Sequence, residues 1–233
     1  MRIDCKSFFK KRTPEKGPQF PTGSAVFFGY QGMGKTLSLT DYAFRLKKEF
    51  PKCKVFSNYY LYGIDYTYLM SDADVKDALA YQNGKDGVLI LLDEAHLYFG
   101  KKTGIGLETL TAISQQRKDR RRICFTSQIW EELDISLRKQ VKEIYHCHKI
   151  LNLIWINVTD GETLAYDKLK SEYVAKHIRF EVFKLNDEYF KRYDTYQKIV
   201  TNDEMVAPLA TRAPTASQAA QFDINLKKRG FNV

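Results

Sequence analysis

Apolar residues along this chain fall into two alternating kinds of pattern. Ala25-Val26-Phe27-Phe28 and Val88-Leu89-Ile90-Leu91-Leu92 are short unbroken runs, the first ended by a glycine and the second by Asp93-Glu94. Runs of that length suit strands buried on both faces of a sheet. Between them, apolar positions recur at helical spacing. Leu39, Tyr42, Ala43, Leu46 and Phe50 predict a helix over 36–50 that Pro51 stops, and Ser71 with Asp72 can cap another over 71–81. Further strands are predicted over 54–60, 122–127, 143–150 and 151–158, and helices over 107–118 and near 131–141. The Thr159-Asp160-Gly161 turn then leads into a hairpin arm over 163–169. This alternation predicts an α/β fold: a mainly parallel central sheet flanked by helices, with antiparallel β additions toward the C-terminus.

The flanks differ in composition. Residues 1–22 mix lysines with Pro14, Pro18 and Pro21 and read as a basic N-terminal arm. Residues 23–200 form the expected single domain. Residues 201–233 shift to Ala, Thr, Pro, Ser and Gln and finish in Lys227-Lys228-Arg229, as a flexible basic tail would. With 233 residues and 44% hydrophobic content, the chain is neither globally disordered nor a small disulfide-stapled scaffold. A formal charge of +9 favours a polyanionic partner such as nucleic acid, or serves solubility alone.

Cys5, Cys53, Cys124 and Cys147 show no CxxC spacing, which points to reduced thiols in a cytosol-like compartment. The N-terminus lacks the apolar stretch of a signal peptide. The most apolar run, Gly87–Leu92, is far short of the roughly 20 residues that cross a bilayer. A soluble protein is expected.

One constellation carries chemistry. Gly29-Tyr30-Gln31-Gly32-Met33-Gly34-Lys35-Thr36 fits GxxxxGK[ST], with a predicted strand before it and a helix after it that continues through Leu37. Glycines let the backbone wrap a triphosphate so that amide N–H groups and the helix N-terminus face anionic oxygens. Lys35 can neutralise β- and γ-phosphate charge, and the Thr36 hydroxyl can ligate Mg2+. Asp93, at the tip of a buried strand, can complete the metal shell, and Glu94 can polarise a water. A carboxylate base argues for hydrolysis, since phosphoryl transfer to a small acceptor needs no activated water. Gln128, at the end of the 122–127 strand, lies near the γ-phosphate if that strand neighbours the one ending at Asp93.

Other residues leave their readings open. His96 either senses phosphate or packs at the strand end. His146 and His148 share a strand face, but with no third ligand at suitable spacing they fit a plain strand better than a metal pair. The basic run Gln116–Arg122 is a solvated helix end, a nucleic-acid contact, or the source of an arginine finger, with Arg117, Arg120 and Arg138 as candidates. Tyr59, Tyr60, Tyr62, Tyr66 and Tyr68 either stack on bases or fill a core.

The phosphate loop, the Leu-Leu-Asp-Glu-Ala strand end and the strand ending in Thr126-Ser127-Gln128 together resemble the FtsK/HerA superfamily of DNA-pumping ATPases. Within it the nearest likeness is to zonular occludens toxin-like ATPases, which include filamentous-phage assembly ATPases and viral genome-packaging ATPases. Ser57-Asn58-Tyr59-Tyr60-Leu61, the Arg117–Gln128 block with Leu133-Asp134 and Leu137-Arg138, and Tyr193-Asp194-Thr195 are similar to segments of that group. The resemblance covers about 24–200. It implies ATP and Mg2+ as ligands, and Lys35, Thr36, Asp93, Glu94 and Gln128 as the binding and hydrolytic residues. It also implies a homo-oligomeric ring, expected as a hexamer, and DNA of unspecified strandedness as partner. Filamentous-phage assembly ATPases usually carry a membrane segment after the ATPase domain, and none is found here. That favours a soluble packaging motor in the host cytoplasm or on the virion, with a capsid or other virion protein as a further partner. Its rivals are a non-motor ATP switch and a P-loop nucleotide kinase.

Overall fold

A computed structural model describes residues 3–4, 19–100, 105–168 and 172–194. In chain order the elements are β1 (Ile3–Asp4), β2 (Gly23–Phe28), α1 (Lys35–Glu49), β3 (Lys54–Ser57), β4 (Thr67–Tyr68), α2 (Asp72–Ala80), β5 (Val88–Leu92) and α3 (His96–Phe99). They continue with α4 (Leu107–Ser114), β6 (Arg121–Ser127), α5 (Ile135–Arg138), β7 (Val141–Ile150), β8 (Leu153–Asp160), β9 (Ala165–Asp167), β10 (Glu172–Val174), β11 (His177–Lys184) and α6 (Asp187–Phe190).

Nine strands form one sheet in the order β1-β11-β8-β7-β2-β6-β5-β3-β4. From β7 to β4 every neighbouring pair is parallel, whereas β7-β8, β8-β11 and β11-β1 are antiparallel. The expected fold class, a mainly parallel sheet with antiparallel additions, is the observed one. Strand residues alternate between two cores, one on each face. Leu89 and Leu91 join Phe27, Leu39, Ala43 and Tyr145 under α1, while Val88, Ile90 and Leu92 pack with Val75, Leu79, Ile113, Phe125 and Leu137 on the other face. All five residues of β5 are buried, as a strand covered on both sides requires.

The helix starts follow local chemistry. Ser71 caps α2 in a reciprocal capping box: its hydroxyl accepts from Asp74 N at 3.2 Å, and the Asp74 carboxylate accepts from Ser71 N at 3.1 Å. Such a cap stabilises a helix by ~1 kcal/mol. The phosphate-loop helix α1 has no side-chain cap; its N-cap is Gly34 in the left-handed region, φ 77°.

Several expectations are corrected. The helix over 107–118 stops at Ser114, because Gln116 turns inward to exchange hydrogen bonds with Ser24. The one near 131–141 is a 3-10 turn, Trp130–Glu132, and the short α5, restarted by Asp134 as its N-cap. The strand over 54–60 ends at Ser57, where Asn58 leaves the ladder for the tip of β5. Among the described residues, the segment at 163–168 does not pair with β8. Gly161–Thr163 is a 3-10 turn, β9 pairs with β10, and the open edge of β8 is taken by β11 from about twenty residues downstream.

The basic run is not one solvated surface either. Arg121 and Arg122 open β6 and are each 1% exposed. Most of the N-terminal arm and all of the 201–233 tail lie outside the described residues, as do Cys5 and Thr195, although Ile3–Asp4 is hydrogen-bonded along β11. Among the described residues, no helix is long and apolar enough to cross a membrane.

Candidate nucleotide site

The parallel strands end at one rim of the sheet, where ligands bind in open α/β folds. β6 lies between β2 and β5, so its tip stands between the strand that leads into the phosphate loop and the strand that ends at Asp93 and Glu94. The loop leaves β2 at Gly29 and is backed by the antiparallel extension. A Cβ at Gly29 would stand 2.7 Å from the Cys147 carbonyl oxygen, and one at Gly34 would stand 2.7 Å from Ile154 Cδ1. With positive φ at Gly34 as well, only glycine fits there.

The sequence-predicted groups meet. Thr36 Oγ1 donates to the Asp93 carboxylate, 3.1 Å from each oxygen. Lys35 Nζ donates to the Tyr30 carbonyl at 3.1 Å. Gln128 Nε2 donates to Glu94 Oε1 at 3.0 Å, and His96 Nδ1 stands 3.3 Å from Glu94 Oε2. A cavity of ≈ 500 Å³ is lined by Gln31, Gly32, Gly34, Lys35, Thr36, Leu37, Glu94 and Gln128, together with Lys149, Phe190 and Tyr193. Tyr30 and Met33 face a smaller adjoining recess of ≈ 140 Å³ with Gly29, His146 and His148.

Burial opposes charge at both key groups. It lowers the Lys35 pKa although Glu94 and Asp93 lie close, and it raises that of Asp93 despite hydrogen bonds from Thr126 and Thr36. The donor set fits magnesium: a hydroxyl and a carboxylate are hard oxygen ligands, and a buried carboxylate short of compensating charge suits a cation.

The sequence reading did not assign the residues that support these groups. Thr126 Oγ1 donates to Asp93 Oδ1 at 2.6 Å and accepts from Glu94 N at 2.9 Å. It thereby fixes the strained left-handed backbone of Glu94, φ 53°. Buried Asn58 grips both backbone groups of Asp93, donating to its carbonyl at 2.9 Å and accepting from its N–H at 2.7 Å. A polar residue at the C-terminal end of each neighbouring strand, Asn58 just past β3 and Thr126 within β6, was the available signal. Lys149, Phe190 and Tyr193 carried no signal for the cavity at all.

Other candidates lie elsewhere. Arg117 and Arg120 precede β6 at the opposite rim, with Arg120 hydrogen-bonded to the Lys85 carbonyl at 3.0 Å. Arg138 ends α5, and none of the three lines the cavity. His146 meets Thr159 at 3.1 Å, and His148 stacks on Trp155 with ring centroids 5.3 Å apart. The described residues contain no cluster of three or more metal-ligating side chains. Tyr59 is buried, and Tyr60 stacks on Tyr68 with centroids 4.8 Å apart, so these rings pack on one another or in the core.

A family model described as zonular occludens toxin (Zot) matches residues 45–198, about two thirds of the chain, beginning after the phosphate loop. Among solved structures, the N-terminal domain of zonular occludens toxin from Neisseria meningitidis is similar. It is 19% identical, covers 74% of this chain and 98% of its own, and gives a TM-score of 0.54. The genome packaging NTPase B204 from Sulfolobus turreted icosahedral virus 2, in complex with ATP-gammaS, is 13% identical over 66% of this chain and 96% of its own, with a TM-score of 0.46. At these identities the first likeness bears on the fold alone, and the second is too distant to carry an argument. No curated protein matches the chain.

Proposed function

The chain belongs to the zonular occludens toxin (Zot) family, and from that premise and the geometry of the cavity we propose that it is a magnesium-dependent ATP hydrolase that moves or packages viral DNA during virion assembly. The observation that carries the hydrolase reading is the convergence of Lys35, Thr36 and Glu94 on one cavity, with Asp93 behind them hydrogen-bonded to Thr36. The DNA reading rests on the family, the FtsK/HerA resemblance and the surplus of basic residues.

The phosphates would enter at the N-terminus of α1, where loop amides and the helix dipole favour anions. Lys35 would exchange the Tyr30 carbonyl for a phosphate oxygen, recovering the solvation that burial denies it. Thr36 and Asp93 would hold magnesium, which supplies charge neutralisation at the β- and γ-phosphate oxygens. Glu94 would orient the attacking water and accept its proton. Gln128 holds Glu94 by a hydrogen bond, so turning its amide toward a γ-phosphate would release the base only when triphosphate is bound. Such a link can couple nucleotide state to movement, because the two states then differ in their contacts.

The active form in this reading is a ring, taken as a hexamer. Arg117, Arg120 and Arg138 stand outside their own cavity, so any finger role would be exercised on a neighbour. Mixing Lys35→Ala subunits with Arg120→Ala or Arg138→Ala subunits should then recover activity. No recovery would argue against a shared site made with those arginines.

ATP turnover by the purified protein, with and without DNA over a salt series, tests the whole reading. Stimulation that fades as salt rises is the expected result. Slow turnover indifferent to DNA would replace the motor with a switch, and turnover only with a small acceptor would replace it with a kinase.

A further inference from the structure

The lining of the cavity is of two chemical kinds. The lining combines loop glycines, Lys35 and Thr36 with Leu37, Phe190 and Tyr193, and with Lys149. Two aromatic rings and a leucine do nothing for phosphoryl chemistry. They give the cavity that holds the phosphate loop an apolar part as well.

That surface is fixed to the helix that starts the phosphate site. The Arg192 guanidinium lies 4.7 Å from the centre of the Phe44 ring and 4.9 Å from that of Tyr189, and its Nη1 is 3.7 Å from Asp41 Oδ1. Asp41 and Phe44 are both on α1, two turns or so beyond Lys35. On the other side Tyr193 bridges Leu61, and Tyr62 N donates to the Arg192 carbonyl at 2.9 Å. The segment carrying Phe190 and Tyr193 is thereby anchored both to α1 and to the connection after β3.

We propose that Leu37, Phe190 and Tyr193 form the stacking subsite for the base of a nucleoside triphosphate whose phosphates occupy the Gly29–Thr36 loop. This deepens the hydrolase reading and rests on it. Stacking on an aromatic ring is open to every base, since each has a π face. The subsite therefore selects a nucleotide over a bare polyphosphate rather than one purine over another.

The test compares two probes by calorimetry: ATPγS, and inorganic tripolyphosphate, which has no base. Phe190→Ala should weaken ATPγS about tenfold and leave tripolyphosphate within about twofold of the unaltered protein. Phe190→Tyr, which keeps a ring, should bind both as the unaltered protein does. Lys35→Ala should weaken both probes. Unchanged ATPγS affinity in Phe190→Ala overturns the subsite, and so does a parallel loss of both probes, which would make Phe190 a support for the cavity as a whole. Undiminished tripolyphosphate binding by Lys35→Ala would instead remove the phosphate-loop assignment, and the subsite with it.

Discussion

Two groups of buried charge sit on the same sheet and behave oppositely. At the strand tips, burial pushes Lys35 down and Asp93 up, so each is driven toward its neutral form. Beneath α1, Arg122, Glu143, Arg179 and Glu181 form a connected network. Arg122 bonds Glu143 and donates to the Tyr42 hydroxyl at 2.9 Å. Arg179 reaches Glu143 at 3.3 Å, Glu181 at 2.7 Å and the Tyr145 hydroxyl at 2.5 Å. Here too burial opposes charge, but the partners prevail: Glu143 is brought down to about 2 by Arg122 and Arg179, and Arg122 is raised by Tyr42, Tyr145 and Glu143. The network is electrostatically complete and joins the parallel core to its antiparallel extension. The site is left incomplete, which is the condition for binding something charged.

The sharpest break in that comparison is to remove charge from each side. Lys35→Ala should lose detectable ATP binding by calorimetry while its thermal midpoint stays or rises, because an under-compensated charge has been removed. Glu94→Gln should bind ATP within about threefold of normal yet turn it over 10²–10⁴-fold more slowly, as expected for loss of a general base. Near-normal turnover would assign water activation to another group.

Arg122→Met should do the reverse of Lys35→Ala. Loss of one partner from a buried pair should cost ~3–5 kcal/mol in denaturant unfolding. A cost below ~1 kcal/mol would show that the network holds little of the fold.

A smaller effect comes from acid. The folded pKa of Glu143 is depressed from 4.5 to about 2, so its contribution is complete above pH 4.5 and is lost as pH falls through about 2. The amount is ~3 kcal/mol. Stability of the unaltered protein should fall across that window. Glu143→Gln should be weaker at pH 6 and show a shallower acid slope, and equal slopes would refute the assignment. The mildest change is Gln128→Ala, expected to lower turnover about tenfold with ATP affinity retained.

Much of this was legible in the sequence, for identifiable reasons. The phosphate loop and Asp93-Glu94 are local patterns, and the unbroken run at 88–92 suits a doubly covered strand. Ser71 announced the start of α2. Arg121 and Arg122 were not legible as buried groups. Within the run 116–122 they look like their exposed neighbours, and what separates them is β6 meeting β5 on one side and β2 on the other. The partner of β8 was misplaced because a nearby turn suggests a local hairpin, while β11 wins the edge from far along the chain.

Sequence alone determined the class of fold and picked out the candidate phosphate-loop and acidic groups, since both depend on patterns a few residues long. Tertiary structure decided which charges are compensated and which are left wanting, and it brought Thr126 and Asn58 to Asp93, and Phe190 and Tyr193 to the cavity. The reason is that desolvation and pairing depend on atoms distant in the chain, and only the ordering of strands in the sheet sets those distances.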